Sequence, residues 1–255
     1  MLGKFGQIQY RIIEGQLNFG NIIEKNNIKK QKPLSLPSNE QSSKSQLEEI
    51  MSKEMKRLLI KYFKGRDYNT ETSKWIDEYI NDMKNFVSNK FPDYKIFLCV
   101  AVIGKGNNTF WIVNRHIFYT ETDGNIKEIY EDKMYCYSYL MYIKRKNYSS
   151  ENSLTAFENN IRPKICKTMK NYLFQREYKH EEFKDYIEGM GDEFEREVLT
   201  YKTICSKIII IFFKKPTNGY TVTWNWLSGN NINKFNEIYE GEYTRCLGII
   251  GSCIA

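Results

Sequence analysis

Glu128-Ile129-Tyr130-Glu131 is repeated as Glu237-Ile238-Tyr239-Glu240, 109 residues further along the chain. Four matching residues alone prove little, but two more echoes fall at nearly the same distance. Tyr94-Lys95 returns as Tyr201-Lys202, and Asp67-Tyr68 is echoed by Glu177-Tyr178. Matches that keep their order and nearly one offset point to a duplicated unit, and the surrounding patterns agree. Upstream of the first copy, Ile50, Met51, Met55, Leu58, Leu59 and Tyr62 recur at three- and four-residue spacing, which predicts a helix over 47–63 with Gly65 as its stop. Trp75, Ile76, Tyr79, Ile80, Met83, Phe86 and Val87 predict a second helix over 72–90, ended by Pro92.

The period then changes. Tyr94–Ile103 is apolar and β-rich, and Phe110–Tyr119, Ile126–Tyr130 and Met134–Ile143 follow as strands, with hairpin turns expected at 104–108 and at Asp123-Gly124. The same order returns downstream: helices over 157–174, with Pro163 expected in its first turn, and 181–198, then strands over 201–213, 220–227, 232–239 and 243–254. The fold class is therefore α+β, as two tandem ααββββ lobes, each with two helices packed on an antiparallel sheet. The first lobe spans 47–146 and the second, more divergent lobe 147–255. Residues 1–46 form an N-terminal arm and linker. Its apolar residues, including Ile8, Tyr10, Ile12 and Ile13, stand near strand spacing, so the arm is expected to dock on a lobe or on a partner. The Pro- and Ser-containing stretch 32–46 reads as the linker.

Composition narrows the function. A formal charge of +7 over 255 residues is mild and lacks the concentrated basic stripe of a nucleic-acid binder. The N-terminus has no apolar export segment, and the longest apolar run, 208–213, is far too short to span a membrane. The six cysteines are scattered, which predicts reduced thiols in an intracellular protein. No Cys or His pair has zinc spacing, so no metal, cofactor or catalytic residue is expected. His116 and His180 read as surface or structural residues, and the strand-embedded Cys99, Cys136, Cys205 and Cys246 as inert. Gly104-Lys105-Gly106-Asn107-Asn108 lacks the full phosphate-loop pattern and joins two strands. Lys144-Arg145-Lys146 reads as a solvated junction between lobes.

Several landmarks then resemble one family. Tyr68 stands before the second helix and Trp75 within it. Tyr94, Lys95, Cys99, Val102 and Ile103 form a strand of Y-K-h-h-h-C-h-h-h type, and Gly104 and Gly106 follow. Phe118-Tyr119, Thr122-Asp123-Gly124 and Met134-Tyr135-Cys136 complete the order. In this the first lobe is similar to Tctex-type dynein light chains. The second lobe matches at Tyr178, Tyr201-Lys202 and Trp226 but departs at Asn230-Asn231 and Thr244-Arg245-Cys246.

The resemblance implies a non-enzymatic dynein light chain in a microtubule motor complex of the cytoplasm and cytoskeleton, with a lean towards the cilium and axoneme. The expected partners are a dynein intermediate chain and other dynein light chains, with no nucleic acid and no membrane. A dynein-independent docking or cargo adaptor of the same fold is the alternative. Family members pair by exchanging a strand and bind targets as an added strand at a sheet edge. Two fused lobes are thus expected to form an internal pseudodimer. An edge strand offers unpaired N–H and C=O groups to a guest peptide. The second strand of each lobe is the candidate: Phe110, Trp111, Ile112 and Val113 in the first, and Tyr220, Val222, Trp224 and Trp226 in the second. Both readings of these aromatics, core packing and partner contact, stand open at this level.

Overall fold

The computed structural model describes residues 11–16, 38–105, 109–117, 123–144, 152–176, 179–201, 204–214, 219–228 and 232–254. Expectations for Phe118-Tyr119, the 106–108 turn, Thr122, Arg145-Lys146, Glu177-Tyr178, Asn230-Asn231 and most of the arm lie outside the described residues. In chain order the elements are β1 (Arg11–Gln16), α1 (Ser38–Phe63), α2 (Thr72–Lys90), β2 (Tyr94–Gly104), β3 (Thr109–Ile117), β4 (Gly124–Glu131) and β5 (Met134–Lys144). Then follow α3 (Asn152–Leu173), α4 (His180–Leu199), β6 (Ile204–Lys214), β7 (Tyr220–Ser228), β8 (Ile232–Glu240) and β9 (Thr244–Ile254). The ααββββ order occurs twice, as the repeat predicts.

The helices follow their apolar stripes. Met51, Met55, Leu58, Leu59, Ile76, Tyr79 and Met83 are all buried in one cluster, and full burial of such a side chain stabilises by about 1.5–3 kcal/mol. Gly65 ends α1 with φ of 73°, a left-handed conformation that costs glycine nothing. Two boundaries differ from expectation. Helix α1 begins at Ser38, so the polar stretch 32–46 is partly helix. Pro163 lies inside α3 rather than in its first turn. The missing N–H leaves the Asn159 carbonyl without its intrahelical donor, but Asn159 and Pro163 are both exposed, and water can take that role.

The sheets depart from two independent meanders. One has the order β4-β5-β2-β7 and the other β1-β3-β6-β9-β8. The second strand of each lobe has crossed over: β3 pairs with β6, and β7 pairs with β2. β2 and β3, β3 and β4, and likewise β6 and β7, expected to be neighbours in one meander, lie in different sheets. Among the described residues, only β4–β5 and β8–β9 are sequence-adjacent antiparallel pairs.

Register shows how regular the duplication is. Gly104 faces Met134, and Lys214 faces Thr244, both members of the second pair standing 110 residues on. Phe110 faces Phe213, and Tyr220 faces Ile103, again 110 apart. Glu128 lies opposite Ser138, and Glu237 opposite Gly248, so the repeated Glu-Ile-Tyr-Glu is a true structural equivalence. The Tyr94-Lys95 echo is not. Its equivalent residues are Ile204-Cys205, three positions beyond Tyr201-Lys202.

Burial divides into three layers of side chains. Ile96, Leu98, Val100 and Val102 meet α1 and α2 on one face of β2. Phe97, Cys99, Ala101 and Ile103, on the other face, meet Phe110, Ile112, Ile209, Ile211 and Phe213 of the facing sheet. Ile208, Ile210 and Phe212 meet α3 and α4. Because both faces of these central strands are covered, they read as continuous apolar runs rather than as alternating ones. The sheets approach closely at Gly251, where an added Cβ would lie 2.5 Å from the Phe97 ring. Within this apolar layer sits Lys207, fully buried, with Nζ 3.5 Å above the centre of the Tyr139 ring. Burial drives its ammonium well below the ordinary lysine range.

Candidate peptide-docking edge

The exchange places β7 at the rim of its sheet, with β2 as its one strand partner among the described residues. Which backbone groups it leaves free follows from one hydrogen bond: the Gly104 amide donates to the Gly219 carbonyl at 3.1 Å. Opposed antiparallel residues alternate between bonded and non-bonded pairs. Thr221 (facing Val102) and Thr223 (facing Val100) therefore turn their polar groups towards β2. The N–H and C=O groups of Tyr220, Val222 and Trp224 point away from β2, along the open rim.

Side chains from the other lobe hold this strand in place. Tyr68, just ahead of α2, shares a 2.9 Å hydrogen bond between its hydroxyl and Thr221 Oγ1. Its ring lies against Gly219, where φ is 75° and a Cβ would run into the Tyr68 ring. At the far end, the Ser228 hydroxyl donates to the Tyr94 carbonyl at 2.7 Å, and Leu227 joins the core beneath α1 and α2. The crossed strand β3 is held in the opposite sense. Trp111 and Val113 are packed under α3 and α4, and the buried Arg115 reaches Asp192 at 2.8 Å and Glu195 at 3.5 Å. Burial raises the Glu195 carboxyl to about 7, against the pull of Arg115.

The aromatic load on β7 divides between packing and access. Trp226 is buried, with its ring 5.4 Å from Phe97, edge-on, and its Nε1 donates to the Asn233 carbonyl at 2.8 Å. Tyr220 stacks on Phe213 at 4.1 Å and accepts a 2.7 Å hydrogen bond from Arg245. Val222 and Trp224 are only half-buried. With Thr223 they line one wall of an open groove of about 290 Å³, whose other wall is Lys234, Phe235 and Asn236 of β8. The charge in this lining comes from Lys234, bonded to Asn225 at 2.8 Å.

The other expected site is not an open rim. Phe110, Trp111, Ile112 and Val113 are each at most 1% exposed, and β3 is paired on both sides. On one side it has β6. On the other it has β1, running antiparallel from Arg11 opposite Asn114 to Gln16 opposite Thr109. The N-terminal arm thus takes up the backbone groups that this strand was expected to offer a guest. Reasoning from sequence also missed Lys234, Phe235 and Asn236, because β8 meets β7 only as a result of the strand exchange.

Of the residues weighed for chemistry, His116, Cys99, Cys136 and Cys246 are buried. His116 is buried in β3, its ring nitrogens 3.4 Å from the Tyr139 hydroxyl and from Asn125. Burial pushes the Cys99 thiol up to about 12, and the Cys136 and Cys246 thiols up as well, away from the reactive thiolate. Among the described residues no cluster of His, Cys, Asp and Glu could hold a metal ion, and no helix is long and apolar enough to cross a membrane.

The sequence model of the Tctex-1 family matches residues 43–143, the span from α1 to the end of β5. No curated protein and no solved structure matches the chain. The second lobe repeats the element order of the matched one and shares its strand register at the 110-residue offset. Over residues 43–143, which make up the first lobe, the chain is similar to the Tctex-1 family.

Proposed function

We propose that the chain is a non-catalytic light chain that holds an extended segment of a dynein intermediate chain, or of an axonemal assembly partner, as an added strand on β7. The observation that carries this reading is the outward row of N–H and C=O groups at Tyr220, Val222 and Trp224, beside a groove half apolar and half polar. A guest strand would satisfy those groups while alternate side chains enter the groove. An acidic or amide side chain suits the wall formed by Lys234 and Asn236, and an apolar one suits Val222, Trp224 and Phe235.

The exchanged strands support a second element of the proposal: the two lobes act as an internal pseudodimer. Strand exchange satisfies within one chain the pairing that a single lobe would otherwise seek from a second copy. The site of action is the cytoskeleton, in a ciliary setting. Affinity purification of the tagged full chain, followed by mass spectrometry, tests the partner. Recovery of dynein heavy and intermediate chains, lost on Val222→Pro, is the expected result. Recovery of cargo proteins without any motor subunit would replace it with the adaptor reading. Light scattering tests the pseudodimer, which predicts a monomer of 30.4 kDa; a stable homodimer would refute self-contained pairing.

A further inference from the structure

The two crossed strands are twins. Phe110 and Tyr220 occupy equivalent positions, each facing the equivalent residue of its new neighbour. Under that equivalence Phe110, Ile112 and Asn114 match Tyr220, Val222 and Trp224, and they turn their N–H and C=O groups to the same outer side. On β7 those groups form the rim described above. On β3 they face β1, with Gly15 opposite Phe110, Ile13 opposite Ile112 and Arg11 opposite Asn114. The difference between the two rims is what lies on them.

We infer that β1 is a guest in cis: the chain's own strand occupies the second of two equivalent docking rims, so the protein accepts one partner segment rather than two. This rests on the reading of β7 as a docking rim. Three observations support it. First, among the described residues β1 is paired with β3 alone, as a docked peptide would be, and no lobe requires it to complete its ααββββ unit. Second, 21 residues, 17–37, separate it from α1, so the covalent link to α1 does not by itself dictate its register on β3. Third, a strand supplied by the same chain docks intramolecularly, at an effective concentration set by the chain connection and not by bulk solution. A free partner must exceed that to displace it, so β3 stays closed to ordinary ligands while β7 remains available. β1 also indicates the guest that suits these rims: a short antiparallel strand whose alternate residues carry the ladder bonds.

Residue-resolved amide exchange tests this on the full chain, on Ile13→Pro and Ile12→Pro, and on a variant lacking residues 1–37. In the full chain the Phe110, Ile112 and Asn114 amides are expected to be protected. Ile13→Pro, which removes an N–H directed at β3, should abolish that protection. Ile12→Pro, whose N–H points away, should largely keep it. In the deletion variant a synthetic peptide of residues 8–19, added in trans, should restore protection. Peptides from a dynein intermediate chain should titrate the full chain to one equivalent and the deletion variant to two.

Equal exchange at Phe110, Ile112 and Asn114 in the full chain and the deletion variant would overturn the inference. So would failure of the peptide to restore protection. Loss of protection in α3 and α4 on deletion would overturn it too, since the arm would then be part of the fold rather than a guest. If the β7 amides never respond to an intermediate-chain peptide while the β3 results hold, the proposed function fails and the cis guest stands.

Discussion

Proline at two neighbouring positions of β7 separates docking from folding. The Val222 N–H lies on the open rim, whereas the Thr223 N–H is directed at Val100 of β2, a residue with no exposed surface. Both substitutions impose the same restriction on φ, so their difference isolates the ladder bond. Val222→Pro removes one bond to a guest strand. At a net ~0.5–1.5 kcal/mol per hydrogen bond and ~1.4 kcal/mol per tenfold in affinity, binding should weaken by about 2- to 12-fold, and by more where the ring crowds the guest. Thr223→Pro instead leaves the buried Val100 carbonyl unpaired, at a cost of about 1–3 kcal/mol in stability. Overlapping peptides covering a dynein intermediate chain, titrated by fluorescence anisotropy, measure the first effect, and urea unfolding measures the second. The expected pattern is weakened binding with near-normal stability for Val222→Pro and a clear extra loss of stability for Thr223→Pro. If Val222→Pro unfolds as readily as Thr223→Pro, or binds undiminished, the assignment of the free rim to the Tyr220-Val222-Trp224 row is wrong.

Other consequences of the packing are open to simple tests. Lys207→Met replaces a fully buried amino group that has no hydrogen-bond partner among the described residues with an apolar side chain of similar volume, so it should stabilise the fold by about 1–3 kcal/mol, read as a higher urea midpoint at unchanged slope. Glu195 keeps its proton in the folded state up to about pH 7, while the unfolded chain releases it near 4.5. The native state thus binds more protons across that window, and stability should fall as pH rises from about 4.5 to 7, then level off. Glu195→Gln should flatten that slope in thermal melts recorded across the range. Gly251→Ala forces a methyl into the Phe97 ring and should cost about 1–3 kcal/mol by overpacking. The double variant with Phe97→Leu should recover part of the loss in urea denaturation, because the face-to-face sheets make these two residues neighbours.

Elements whose cause is local were legible in the residues. Three- and four-residue spacing at Met51, Met55 and Leu58 or at Ile76, Tyr79 and Met83 specifies an apolar helix face wherever that helix goes. Gly65 marks an end because a positive φ is a property of one residue. The Glu-Ile-Tyr-Glu repeat disclosed the duplication because equivalent strands kept equivalent residues. The Tyr94-Lys95 echo misled by three positions, since a two-residue match cannot define register. Pro163 misled as well: an exposed helix tolerates a lost N–H that a rule about first turns does not anticipate. Half of the candidate site was also legible, in that the aromatic strand 220–227 stood out. Its division into the buried Trp226, the stacked Tyr220 and the groove-lining Val222 and Trp224 did not, nor did the contribution of β8.

The amino-acid sequence by itself determined two helix-then-strand units, an arm with strand spacing and an aromatic-bearing second strand in each unit. Only the tertiary structure decided which sheet each second strand joins, and that the arm closes one rim while β7 keeps the other. The reason is physical. A period of two tells a strand which residues share a face, but N–H and C=O groups are the same at every residue, so the sequence pattern cannot name the neighbour that pairs with them. That choice belongs to packing between residues more than a hundred positions apart, as where Gly251 meets Phe97 or Tyr68 rests on Gly219.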